Sequence, residues 1–143
     1  MTTEAINKMD FTRLDSLITS FCQYSKELNG SALSILGASI LLILSANYVS
    51  PPTPRARLIY LLFVPAWICL SASIYYHNII MRAGAAYSFA KDQTRKLNII
   101  LSINEDYAIQ LDLFQWGIFC MALWLASYLV WWIFIANLNS LKK

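Results

Sequence analysis

The chain has 143 residues, 58% of them hydrophobic and only 13% charged, with a formal net charge of +3 and a mean hydropathy of +0.51. A water-soluble domain carries about a quarter charged residues, so this chain lacks the polar sequence to shield a large buried core from water. The +3 charge is too diffuse to mark nucleic acid as a partner, and no direct nucleic-acid-binding motif is present.

The charges are segregated along the chain. Leu28 to Pro54, Leu58 to Met81 and Leu113 to Leu141 contain no Asp, Glu, Lys or Arg. A hydrocarbon core of roughly 30 Å takes about 20 helical residues, so each stretch is long enough to cross one. The fold expected is an all-α membrane protein with an N-terminal amphipathic helix and three transmembrane helices. A helical cytoplasmic hairpin should join spans 2 and 3. The domains expected are residues 1–30, the amphipathic helix, and residues 31–143, the three-span unit, with a helical connection over 82–112.

Residues 4 to 28 open the chain with a helical pattern. Leu14, Leu17, Ile18 and Phe21 fall on one side, while Arg13, Ser16, Thr19, Ser20 and Gln23 occupy much of the other. No continuous apolar centre marks a cleaved signal here. "LNG" is expected to end this helix, with Gly30 just past its C-cap. Such a helix could lie in the membrane interface, meet a partner, or act as a plug or gate built on Leu14, Leu17, Ile18 and Phe21.

The first span is expected over about Ser31 to Val49, stopping at the proline-rich "SPPTPRAR". The second begins near Arg57 and carries Pro65, which removes a backbone bond to the Leu61 carbonyl and should kink the helix. It should run on beyond the bilayer through "MRAGAAYSFAKDQTRK". In "SINE", Ser102 and Glu105 have the spacing of a capping box, which would start the next helix. The third span is expected over about Leu113 to Ala136. Trp116, Trp131 and Trp132 would anchor its two ends, and Trp124 would pack mid-span. Seven Lys or Arg residues flank the spans on the N-terminal side and four on the other, which favours a cytoplasmic N-terminus.

"CLSASIYYHN" holds the only histidine of the chain. Cys69, Ser73 and His77 recur every four residues, a weakly polar stripe that should turn toward protein or water. Ser45 and Asn47 are the matching pore-lining candidates on the first span. His77 also reads as a headgroup-level neighbour of Tyr75 and Tyr76. It has no second histidine for a metal and no acid in its span for a triad, so no catalytic residue, metal or cofactor is expected. Gly30, Ser34 and Ala38 form one small-residue stripe and Ala122 with Ala126 another, both candidates for helix packing. Glu105, Asp106 and Asp112 could form an acidic cytoplasmic mouth in a ring of subunits. The cysteines Cys22, Cys69 and Cys120 have no paired spacing and read as free thiols.

The layout is "FTRLDSLITSFCQYSKELNG" leading into the first span, then a short helical excursion before the last. It resembles the small channel- or pore-forming membrane effectors of bacterial anti-phage defence. The resemblance implies a homo-oligomeric ion channel in a bacterial inner membrane, opened by a separate regulatory partner protein or a nucleotide ligand. The alternative is a non-conducting membrane adaptor or accessory subunit. A channel should set Ser73 and His77, or Asn47 and Ser45, around an axis shared by identical copies. An adaptor should bury them against another protein or inside its own bundle.

Overall fold

A computed structural model describes residues 3–45, 58–131 and 133, with side-chain surroundings from residue 13 onward in the first segment and from residue 60 in the second. Three long helices make up almost all of it: α1 (Thr3–Ser45), α2 (Phe63–Phe89) and α3 (Gln93–Trp131), with a 3₁₀ turn over Leu58–Leu62 leading into α2. The stretches Arg13–Ser45, Tyr60–Phe89 and Gln93–Trp131 are each long and apolar enough to cross a membrane.

The chain reverses between α2 and α3 in only three residues. Ala90 turns extended (φ −73°, ψ 122°) and its N–H donates to the Tyr87 carbonyl at 3.1 Å. The Lys96 N–H then donates to the Asp92 carbonyl at 3.1 Å as α3 begins. The two helices therefore lie against each other as an antiparallel hairpin, and α1 packs on both.

A seven-residue repeat sets which face each helix buries. On α1 it is Ile18, Ser25, Ala32 and Ser39; on α3 it is Ile103, Gln110, Gly117 and Trp124. On α2, Phe63, Ala66, Leu70, Ser73, Ile80 and Tyr87 alternate at steps of three, four and seven. That spacing keeps one seam facing the partner helices, as in a helical bundle with coiled-coil-like packing.

Three expectations are corrected. Gly30 does not end a helix: α1 runs through it without a break, so residues 1–30 do not form an element separate from the first span. No described glycine has a positive φ, and the buried line carries straight on from Ser25 to Ala32. The packed repeat outweighs the roughly 1 kcal/mol penalty of a glycine inside a helix. Ser102 does not start a helix either, because "LNIILSI" already extends the repeat through Ile100 and Ile103. Its hydroxyl faces the Asp106 carboxylate at 3.5 Å instead. Pro65 sits in the first turn of α2, where its missing N–H needs no partner, instead of kinking the helix interior.

The bundle has two chemically different halves. Toward the α2–α3 turn, Ile18, Ile80, Tyr87, Ile100 and Ile103 form an apolar core, with Leu14, Phe21, Cys22 and Tyr107 packed around it. The Tyr87 hydroxyl donates to Asp15 Oδ1 at 2.8 Å, and Lys96 Nζ lies 4.8 Å from the centre of the same ring. Tyr87→Phe should therefore cost about 1 kcal/mol, the usual net worth of such a bond. Thermal unfolding in detergent would check this, and an unchanged midpoint would contradict it.

In the charge-free half, aromatic rings fill the seam. Phe63 meets Trp124 at a tilt of 47° with ring centres 4.7 Å apart, Trp124 also meets Tyr60 and stacks on Tyr128, and Trp67 Nε1 donates to Ser39 Oγ at 2.8 Å. The surface here is bulky and apolar: Leu61 in the 3₁₀ turn, Val64 and Ile68 on α2, and Trp116, Phe119, Leu123 and Val130 on α3 are all exposed. Large side chains outside with serine, glycine and glutamine inside suit a hydrocarbon solvent.

Candidate functional site

The polar centre of the protein lies where all three helices meet. Ser25 of α1, Ser73 of α2 and Gln110 of α3 are each fully buried, and His77 is half-buried beside them. Gln110 Nε2 donates to the Ser25 backbone carbonyl at 3.3 Å, and Ser25 Oγ donates to Gln110 Oε1 at 2.7 Å. Ser73 Oγ donates to the Gln110 backbone carbonyl at 3.1 Å. His77 Nδ1 lies 2.9 Å from Ser25 Oγ.

These bonds fix the proton on His77. A carbonyl only accepts, so the Gln110 amide must present its nitrogen to the Ser25 backbone and its oxygen to the Ser25 hydroxyl. The single hydroxyl proton of Ser25 is then committed to Gln110. Ser25 Oγ can only accept from the imidazole, so Nδ1 carries the hydrogen and Nε2 is the imine nitrogen of the neutral ring. A hydrolytic pair needs the reverse, with the imidazole taking the serine proton. The arrangement joins three helices at one height by satisfied polar contacts, a device that fixes helix register in bundles.

Other sequence candidates fall in different places. Cys69 is half-buried on the same seam as Ser73 and His77 and is a free thiol, as are Cys22 and Cys120. Ser45 is exposed on α1, its hydroxyl donating to the Leu42 carbonyl at 2.8 Å, and Asn47 lies outside the described residues. Glu105 and Asp112 are exposed on α3 and Asp106 is half-buried. Glu105 and Asp112 stand seven residues apart, about 10 Å along the helix. They form a column on one subunit, not a cluster.

Leu14, Ile18 and Phe21 pack into the core beside Ile80 and Tyr107, with Phe21 and Tyr107 rings 5.5 Å apart. Leu17 is exposed. This half of α1 is thus an integral third of the bundle. Among the described residues, no group of three or more His, Cys, Asp or Glu side chains converges as a metal site would require.

Neither small-residue stripe is used inside the subunit. Gly30, Ser34 and Ala38 are exposed on α1, and Ala122 and Ala126 are exposed on α3. Helix contact within the chain uses other small residues. A Cβ on Gly117 would stand 2.8 Å from Leu70 Cγ, and one on Gly84 would stand 2.8 Å from Cys22 Sγ. Gly30 and Gly37, by contrast, have nothing within 4 Å of that position. The outward face of α1 from Gly30 to Ala38 is therefore built of Gly30, Ser31, Ser34, Gly37 and Ala38, with Leu33 exposed on its flank. Bulky apolar residues predominate on the outward faces of α2 and α3 in their charge-free stretches, and on α1 they resume at Ile40, Leu41 and Leu44.

Ser25 and Gln110 do not stand out in the sequence, where Gln115 and Asn78 are the more visible polar candidates. Gln115 is exposed beside Trp116 and Phe119, and Asn78 bonds to the Ile74 carbonyl of its own helix. The signal for the missed pair is the seven-residue repeat, in which Ser25 and Gln110 hold the same kind of position as Ile18 and Ile103. No family model, curated protein or solved structure matches the chain.

Proposed function

We propose that the chain is the subunit of a homo-oligomeric membrane pore, with α1 turned toward the axis shared by its copies. The observation that carries this reading is the outward face of α1. Between Gly30 and Ala38 its central line offers Gly30, Ser34 and Gly37, with Ser31 and Ala38 on one flank and the exposed Leu33 on the other, before Leu41 and Leu44 continue the line with bulk. Small side chains and bare backbone offer lipid tails little to pack against and suit the approach of another helix. Three helices enclose too little space for a water path, so identical copies supply the wall. The excess of Lys and Arg on the side shared by the N-terminal segment and the 82–112 connection supports a cytoplasmic N-terminus, in a bacterial inner membrane on this reading. As an anti-phage effector, the assembly would open in response to a separate protein or nucleotide.

Of the two lining sets expected from the sequence, Ser73 on α2 is fully buried within the chain, which leaves α1 as the helix to turn toward the axis. That same burial favours a second reading, a non-conducting adaptor whose α1 face docks on a different membrane protein. Current across a planar bilayer separates the two. The purified protein is expected to give discrete steps, and silence from protein shown to be folded and inserted would leave the adaptor.

A further inference from the structure

We infer that the outward face of α1 is where a second copy of the chain docks, α1 parallel to α1, with Lys26 of one copy opposite Glu27 of the other; this rests on the homo-oligomeric reading and gives it a surface. The buried line of α1 fixes the geometry. Two residues before Ile18, Ser25, Ala32 and Ser39 stand Ser16, Gln23, Gly30 and Gly37, about 160° around the helix and facing directly away from the bundle. All four are exposed.

Charge complementarity identifies the occupant. Lys26 and Glu27 follow Gln23 by three and four residues, so they flank this line on opposite sides. Both are exposed, and Gln23 Nε2 donates to Glu27 Oε1 at 3.4 Å, which draws the carboxylate along the line. When two parallel helices face each other along one line, opposite flanks meet, as the e and g positions of a coiled coil do. Lys26 of each copy then meets Glu27 of the other. In a closed ring the same flanks meet, so the pairing does not depend on copy number. Copies inserted with the same topology are necessarily parallel, so the two charges come to one height.

The glycines agree independently. Gly84 and Gly117 are accounted for by close approach within the chain, whereas Gly30 and Gly37 meet nothing. Each carries a helix penalty of about 1 kcal/mol relative to alanine. The lack of a side chain at both, seven residues apart on the docking line, lets the flanks of neighbouring α1 helices come close while the line itself faces the shared axis.

The test measures association of the full chain in lipid vesicles by energy transfer between labelled copies at a series of protein-to-lipid ratios. Lys26→Glu or Glu27→Lys turns attraction into repulsion on both sides of each contact and should weaken association about tenfold. The swapped double variant should recover most of that loss. Arg82→Glu, on the exposed face of α2, should change nothing, and Gly37→Leu should weaken association without unfolding the bundle. Unchanged association in all these variants of a protein that does assemble would overturn this surface and leave the homo-oligomer standing. A wild type that stays monomeric at every ratio would overturn both.

Discussion

Gly117→Leu is expected to lower the stability of the bundle by about 3 kcal/mol, the upper part of the range for overpacking a close-packed interior. A Cβ at this position would lie 2.8 and 2.9 Å from Leu70 Cγ and Cδ2 and 3.5 Å from the Ala66 carbonyl oxygen. Leu70 is fully buried between α2 and α3, and the Ala66 oxygen belongs to the backbone, so neither has room to retreat. The two helices would have to separate, loosening the seam that also holds Phe63 against Trp124. Reversible unfolding in mixed micelles measures the loss. Leu70→Ala should restore part of it in the Gly117→Leu background, since the two side chains compete for one space. Equal stability of Gly117→Leu and wild type would mean that α2 and α3 do not approach here.

The second large effect falls on the polar centre. Gln110→Leu keeps the volume but removes the acceptor of the Ser25 hydroxyl and the donor to the Ser25 carbonyl. Leaving such groups unmet in a buried site costs about 2 kcal/mol. Ser25 has one route to recovery: its proton can turn to His77 Nδ1, provided the ring hydrogen moves to Nε2. Wild-type protein should therefore have neutral His77 as the Nδ1–H tautomer, and Gln110→Leu should shift it toward Nε2–H. Nitrogen chemical shifts of the single histidine read both states directly. An Nε2–H ring in the wild type would contradict the proposed bond directions.

Much of the architecture is legible in the sequence, because three charge-free stretches in a chain with so few charges leave little choice of solvent. The same composition hides the joints. Gly30 carries the residue type of a helix end, yet local signals lose to a packed repeat that continues on both sides of it. Ser102 and Glu105 fit a capping box by spacing, but the helix has already begun at Gln93, more than two turns earlier, and "LNIILSI" continues it. The mid-span position of Trp124 implies a helix contact, and the ring is buried among Tyr60, Phe63 and Tyr128.

The polar centre is only half legible. Cys69, Ser73 and His77 stand out as a stripe because their spacing is four and their neighbours on α2 are bulky. Nothing local distinguishes Ser25 among the serines of α1, or Gln110 between Ile109 and Leu111. Their partners lie 52 and 85 residues away in sequence, so only the seven-residue phase shared by α1 and α3 could bring them together. The small stripe at Gly30, Ser34 and Ala38 is legible as a packing surface, but its direction is not. Ser39, one residue on, is the side chain that faces inward.

The most direct test of the pore is substituted-cysteine block at Ser34. Ser34→Cys and, as a control, Ala122→Cys on the outward face of α3 are prepared with Cys22, Cys69 and Cys120 changed to alanine. Current through a planar bilayer is then followed while a charged thiol reagent is added. Progressive block is expected in Ser34→Cys and steady current in Ala122→Cys. Steady current in both, with the thiol introduced at position 34 left unlabelled, would contradict a water path along α1.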